Sequence, residues 1–334
     1  MDQSQQHTLQ QLINEQLKLD ASAGLQCKIM SGGAIQENWS ISSQDAQQNW
    51  ALVLRKNSAT VLETSSGREQ EYRLLKQLYD YGIQVPEPLY FSKKENFLQS
   101  DFFIMQKIYG VTEGHKLVRL NQPEQQRAIL TDIGTQLAKI HQIDQDTEIE
   151  KFLIKPEKDQ YLSQILVDFR QQLDHLKRHQ PTLEFAIQWM KNNLPQVDDL
   201  VLVHGDFRTG NIMVNEDHVS GILDWEFTHW GDRREDIGWF TAKCWRFGQD
   251  QNLAGGIGEY KDFMQAYAAI SDIYIPEFEL KFWHILAHVR WAIIALQQAH
   301  RNQGSARPSL ELALTDFLVP LLEKNILDIL GDKE

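Results

Sequence analysis

The spacing of apolar positions changes partway along the chain, and it divides the sequence into a strand-rich first part and a helical second part. Leu9, Leu12, Ile13 and Leu17 recur at helical spacing and predict one amphipathic packing helix at the start. KIMSGGAIQENWSISS and QDAQQNWALVLRKN then read as two strands with β-branched and aromatic content, separated by a polar turn, with Ser31-Gly32-Gly33 at the entrance of the first. Between Gly67 and Tyr81 the stripe of Tyr72, Leu75 and Leu78, with Leu74 and Tyr79 beside it, predicts a helix that stops at Gly82. VPEPLYF is an extended entry, and SDFFIMQKIYG is a short apolar run closed by a glycine, which predicts another strand.

From Gln122 onward the periods lengthen. The spans 123–143, 159–178, 181–193, 257–270, 277–302 and 309–329 predict helices, the first carried by Ile129, Ile133, Leu137 and Ile140. One stretch interrupts them: VDDLVLVHGDFRTGNIMVNEDHVSGILDWE holds three short apolar runs broken by polar turns. Hairpin loops on a rigid helical scaffold are where chemistry is expected. No internal repeat or low-complexity tract is present, and the only candidate linker is the short turn near Gly110.

At about 150 residues per domain, 334 residues predict two domains or one domain with two lobes. A hydrophobic share of 42% with 24% charged residues excludes collagen-like and broadly disordered chains. The formal charge of −13, from 33 basic and 46 acidic residues, repels nucleic acid and anionic lipid, and no basic patch offsets it. Neither partner is expected. Cys27 and Cys244 lie far apart without a CxxC or Cys/His cluster, which argues against a disulfide framework or a zinc site and for a reducing compartment. The start, MDQSQQHTLQQ, has neither a basic segment nor an apolar run, so the expected location is the cytoplasm.

Within the interrupting stretch, His204-Gly205-Asp206 is followed by Asn211 five positions after the aspartate and by Asp224 at the end of an apolar run. Phosphoryl transfer needs such a set, a carboxylate to orient or deprotonate the attacking hydroxyl and hard oxygen ligands for Mg²⁺ on the nucleotide phosphates. Asp206 is the expected base, with Asn211 and Asp224 as metal ligands. The spacing follows the kinase pattern of Asp, four residues, then Asn, with His-Gly-Asp in place of His-Arg-Asp.

HGDFRTGN followed by GILDWE resembles the aminoglycoside phosphotransferase-like kinases, and more closely the phosphotransferase domain found alone in bacteria or fused to acyl-CoA dehydrogenases. The resemblance runs from about Leu25 to about Trp291. It implies an α+β, protein-kinase-like bilobal fold: residues 1–107 as a small strand-rich lobe covering the nucleotide, and 108–334 as a larger helical lobe with the catalytic loop and acceptor site. It also implies that Ser31, Gly32 and Gly33 cover the phosphates and that Arg55 stands where the wider family has a phosphate-pairing lysine. Glu71 would pair with Arg55, with Glu69 as its rival. The backbone of Gln106 and Ile108 would meet the adenine edge, with Met105 behind it.

Two departures bear on function. The family's Asp-x-Gly is here Asp224-Trp225-Glu226, and no activation segment follows, which disfavours a protein substrate. His204 reads as a structural residue of the loop. Asp236 is either an anchor of that loop or a helix cap, and Glu226 is either a loop-bonded carboxylate or a third metal ligand. His284, His288 and Trp291 share a helical face with Arg290 beside them, a stripe that either fills the core, as such stripes do by default, or lines a substrate pocket, and Trp239, Trp245 and Phe247 add aromatic surface after the catalytic hairpin. Together these suit an acceptor with an apolar body and an anionic or polar end. The expected activity is ATP- and Mg²⁺-dependent phosphorylation of a hydroxyl on a small molecule, a hydroxyacyl-type metabolite rather than an aminoglycoside-like compound. The alternatives are a catalytically idle nucleotide-binding module and a metal-dependent phosphohydrolase.

Overall fold

Alternation along two strands decides how the first hundred residues pack. The computed structural model describes residues 1–30, 36–57, 67–94, 96–120, 122–143, 148–176, 178–303 and 310–332. Five strands, β1 Leu25–Ile29, β2 Gln36–Ser43, β3 Ala51–Asn57, β4 Pro88–Ser92 and β5 Phe102–Gln106, form an antiparallel sheet in the order β1-β2-β3-β5-β4. Successive side chains of a strand point to opposite faces. Leu52 and Leu54 of β3 join Phe102 and Ile104 of β5 in one core with Leu9 of α1 (Gln3–Leu12) and Ile13 just beyond it. Val53, Phe103 and Met105 join the other core with Leu74, Leu75 and Leu78 of α2 (Arg68–Asp80). By the same alternation Arg55 faces α2.

Ser31, Gly32 and Gly33, expected at a strand entrance, lie outside the described residues. Three strands stand where the apolar pattern predicts two before Asn57. The reason is that β1 is an edge strand pairing only with β2, and of its residues only Leu25 is buried, so it carries little apolar signal.

The second part contains α3 (Gly114–Leu117), α4 (Pro123–His141), α5 (Tyr161–Leu176) and α6 (Pro181–Asn192). The short strands follow: β6 (Val201–Val203), β7 (Ile212–Asn215), β8 (His218–Ile222) and β9 (His229–Gly231). Helices α7 (Arg233–Thr241), α8 (Tyr260–Ser271), α9 (Lys281–Gln303), α10 (Leu310–Leu314) and α11 (Val319–Gly331) complete it. The span expected as one helix at 309–329 is divided because Pro320, in the first turn of α11, lacks the N–H that continuing α10 would require. β7 and β8 form the expected hairpin, while β6 pairs with β9, a strand that the pattern of apolar runs does not predict.

The connector near Gly110 is tied to the hairpin: Val111 and Val214 exchange backbone hydrogen bonds of 2.7 and 3.0 Å. Gly221 of β8 leaves room for Ile108, whose Cδ1 would lie 2.1 Å from a Cβ at that position. Among the described residues no helix is long and apolar enough to cross a membrane.

Candidate active site

The loop after β6 turns on Gly205, which has a φ of +79° and would bring a Cβ within 2.4 Å of the Phe227 carbonyl oxygen. Only glycine meets both demands. Asp236, in the first turn of α7, anchors this loop: its carboxylate accepts the backbone N–H groups of His204 (2.7 Å) and Gly205 (2.9 Å) and Nε2 of His141 (3.2 Å). The cap of α7 is instead Asp232, which accepts from the Arg234 N–H. His204 is wholly buried; its Nε2–H donates to the Leu223 carbonyl (2.9 Å), which leaves Nδ1 to accept from the Asp206 N–H (3.1 Å). That arrangement fits a neutral ring that holds the loop.

Asp206 is fixed from three sides. Trp239 Nε1 donates to Oδ1 at 2.8 Å, Asn211 Nδ2 to Oδ2 at 2.6 Å, and Arg208 Nε approaches both oxygens at 3.2 and 3.3 Å. The Arg208 guanidinium also lies 4.7 Å from the centre of the Trp245 ring. Asn211 accepts the Leu223 N–H on its carbonyl (2.9 Å), which sets Asp224, the next residue, beside the loop. Asp224 adopts a left-handed φ of 63° and keeps 42% of its side chain exposed.

Arg55 reaches this point from the sheet. Its NH1 meets Asp224 Oδ1 at 2.8 Å and its Nε meets Glu71 Oε1 at 3.1 Å. Arg55 is thus a buried, doubly paired cation, not an exposed strand end. Burial alone would lower its pKa, but Glu71, Asp224 and Glu226 raise it well above the ordinary value. The surrounding protein pushes the Asp224 carboxyl up, yet Arg55, with Arg208 adding to it, outweighs that and its pKa lies below the usual carboxylate value. Glu69, the rival to Glu71, pairs with Lys93 on the surface. Glu71 also pairs with Arg68, whose other amino group faces Glu226 at 3.7 Å and so ties the Asp224 loop to α2.

Gln106 donates its N–H to the Glu87 carbonyl at 2.8 Å, so its own carbonyl is what it can offer a nucleotide. Met105 is buried in the core shared with α2. Among the described residues no group of three or more His, Cys, Asp or Glu side chains is arranged to hold a metal. Asp224 and Asn211 could offer oxygens to an ion such as Mg²⁺, which keeps several waters and takes one or two carboxylates with substrate phosphates rather than a full protein cage.

Asp206 and Asp224 open onto a cavity of about 670 Å³ that extends between α5, α7 and α9. Phe169, Trp230, Trp239, Trp245, Trp291 and Ile294 give it an aromatic and aliphatic wall. Arg290 lines it as expected, but His284 and His288 do not. His288 is fully buried and bonds the His284 carbonyl at 2.6 Å, and His284 Nε2 meets Thr241 Oγ1 at 2.8 Å. Residues spaced i and i+4 share a helix face with neighbours on both sides of that face, and here the face is divided between core and cavity. Phe247 stands exposed against Gly114, outside the wall. Arg208, two positions after Asp206, was within reach of the motif reading. Tyr161 and His229, which join Arg290 at the cavity, and Glu235, the carboxylate behind them that all three contact, carry no motif and could not be found from spacing.

Comparison with known proteins follows the same lines. The family described as the phosphotransferase enzyme family matches residues 26–272. Acyl-CoA dehydrogenase family member 10 of Mus musculus is 29% identical over 191 residues, which are 56% of this chain but only 18% of that protein. The chain therefore spans a small part of that relative's length. Among solved structures, a Ralstonia eutropha protein provisionally described as an aminoglycoside phosphotransferase superposes with a TM-score of 0.75 at 18% identity, covering 98% of this chain and 99% of its own. Spectinomycin phosphotransferase in complex with ADP and spectinomycin superposes with a TM-score of 0.62 at 14% identity, covering 97% of this chain and 98% of its own. Both likenesses are of fold, the α+β kinase-like arrangement of an antiparallel sheet and a helical part.

Proposed function

Because the chain belongs to the phosphotransferase enzyme family, we propose that it is an ATP- and Mg²⁺-dependent kinase that transfers the γ-phosphoryl group to a hydroxyl of a small molecule. The observation that carries this reading is that Asp206 and Asp224 open onto one cavity, with Asn211 bonded to the first and Arg55, from the sheet, to the second. The ADP in the spectinomycin phosphotransferase complex supports an adenine nucleotide as donor.

In this reading residues 1–107 cover the nucleotide, with Ser31, Gly32 and Gly33 over the phosphates and Gln106 and Ile108 at the adenine edge. Residues 108–334 carry the catalytic loop and the acceptor. Oxygens of Asp224 and Asn211 would hold Mg²⁺, whose chemistry is to supply positive charge against the nucleotide phosphates. Arg55, oriented by Glu71, pairs with the phosphates. Asp206 receives the acceptor hydroxyl, which replaces Arg208, the more distant of its partners. The hydroxyl oxygen bonds to the γ-phosphorus as the bond to the bridging oxygen breaks; ADP leaves with that electron pair and the proton passes to Asp206.

The acceptor is a hydroxylated metabolite of hydroxyacyl type. The wall that would hold it is rich in aromatic and aliphatic side chains and carries Arg290, which suits an apolar body with an anionic or polar end. A panel of hydroxyl compounds scored for nucleotide consumption with Mg²⁺ tests the reading, with turnover expected on hydroxyacyl compounds. Robust phosphorylation of kanamycin-type compounds with none of the acyl series would overturn the acceptor. Nucleotide binding without consumption on any acceptor would overturn the kinase.

A further inference from the structure

Trp239 joins two parts of the cavity. Its indole N–H donates to Asp206 Oδ1 at 2.8 Å, while the guanidinium carbon of Arg290, from α9, lies 5.7 Å from the centre of its rings. Asp206 and Arg290 both line the cavity, so they stand about one indole apart. Among the described residues, the ion pair of Arg290 is with Glu235 Oε1 at 2.6 Å. A guanidinium has five N–H donors in a planar fork, and the donors that Glu235 does not take are available to the cavity.

The charges behind Arg290 do not cancel. Glu235, from α7, also accepts the Tyr161 hydroxyl from α5 and faces His229 Nε2, from β9, at 3.3 Å. The other ring nitrogen of His229 faces the Phe227 carbonyl at 2.9 Å. With an acceptor before each nitrogen, only the imidazolium donates to both. Burial opposes that charge, but Glu235 outweighs it and the pKa of His229 lies above its ordinary value. Tyr161 stays neutral, because burial raises its pKa and Glu235 raises it further.

The neighbouring carboxylates are engaged elsewhere. Asp232 pairs with Arg234, and Asp236 with His141 and two backbone N–H groups. Glu157 and Asp168 line the cavity from exposed positions on the α5 side. Behind the wall Arg290 and His229 thus share one buried carboxylate, and at the wall Arg290 stands beside Trp239 and Trp291 with donors unspent. A guanidinium with spare donors beside apolar side chains favours an electron-rich oxygen on the ligand.

We infer that Arg290 is a specificity-determining residue that hydrogen-bonds the acyl oxygen of the acceptor, one indole away from the hydroxyl held by Asp206. The inference rests on the kinase reading for the hydroxyl and extends it to the other end of the acceptor. A carboxylate and a thioester carbonyl both present this oxygen. The body between the two ends lies along Trp239, Trp245 and Trp291.

Arg290→Lys and the paired change Arg290→Gln with Glu235→Gln test it. The pair removes both charges together, so that neither is left buried alone. Each protein is assayed on a hydroxycarboxylate, on its thioester and on an alkanol of equal length that lacks the acyl group. The expected result for the pair is a fall of at least about tenfold in the acyl-to-alkanol ratio of kcat/KM, carried by KM, with the nucleotide KM unchanged; Arg290→Lys falls between it and the parent. A larger loss on the carboxylate identifies the free acid as the source of the oxygen, and an equal loss on both acyl probes identifies the carbonyl. An unchanged acyl-to-alkanol ratio overturns the inference while leaving the kinase reading intact. A second measurement needs no turnover: quenching of tryptophan fluorescence by decanoate against decanol. Decanoate binding that is weakened in the paired variant supports the subsite even if nothing is phosphorylated, and equal binding to parent and variant counts against it.

Discussion

At Asp224 the charged groups meet across the cleft, whereas at Arg290 they meet inside one wall. Arg55 comes from β3, Glu71 from α2 and Asp224 from the loop after β8, and Asp224 remains 42% exposed. Arg290, Glu235 and Tyr161 come from three packed helices, with His229 beside them, and the Glu235 side chain is only 1% exposed. Burial would push the Glu235 carboxyl up, but Arg290 and His229 outweigh it and hold its pKa well below the usual range. In the first region Asp224 alone is open to water, so it is the member that can exchange partners when a metal-bound phosphate arrives, because water shares the cost of parting it from Arg55. The buried pairs, Arg55 with Glu71 and Arg290 with Glu235, resist parting, since each charge stranded by a partner's departure faces a large desolvation penalty. The first region thus has one member suited to changing partners in the proposed reaction, whereas the second has none.

Asp206→Asn separates the two regions most widely. Turnover should fall by about 10²–10⁴-fold with nucleotide affinity nearly unchanged, since the base acts on the acceptor and not on the phosphates. Steady-state consumption with a nucleotide titration checks this, and near-parental turnover would remove Asp206 from the role.

Asp224→Ala acts on the exchangeable side alone. Loss of a direct oxygen ligand should weaken Mg-nucleotide binding by at least the roughly 10- to 100-fold seen when second-shell partners of a metal are removed. Titrations with and without Mg²⁺ decide it; equal Mg-nucleotide affinity in the two proteins would mean that Asp224 does not touch the metal.

Arg55→Ala and Glu71→Ala ask whether the cleft pair works as a unit. Each should raise the nucleotide KM and lower kcat, and the double variant should be little worse than either single one. Fully additive losses would disconnect the two residues.

The smallest effect concerns the buried side of α9. Burial lowers the His288 pKa to about 4 from the 6.5 of an exposed histidine. A histidine with a depressed folded-state pKa contributes stability that is present above about pH 6.5 and is lost as pH falls toward 4, at about 1.4 kcal/mol per pH unit over that window. His284, beside it, is lowered further, to about 3, and adds a slope of the same sign. Thermal unfolding followed from pH 7 to pH 5 should show the sum, and His288→Gln should reduce it by about 1.4 kcal/mol per pH unit. An unchanged slope would mean that His288 is not buried as a neutral ring.

Local order in the sequence determined the parts whose partners are near in the chain. The helices follow from apolar period, and Asp206, Asn211 and Arg208 fall together because one short loop carries all three. The pairing of Arg55 with Glu71 was legible only through a family resemblance, since strand alternation says which face Arg55 takes but not which helix covers it. Tertiary structure alone decided between the two readings of Asp236, whose carboxylate reaches a loop 31 and 32 residues upstream. It alone sent His288 to the core and Arg290 to the cavity, two residues apart on the same helix. A helix turns by 100° per residue, so spacing fixes the angle between two side chains. What lies at each angle is fixed only when the other helices have packed.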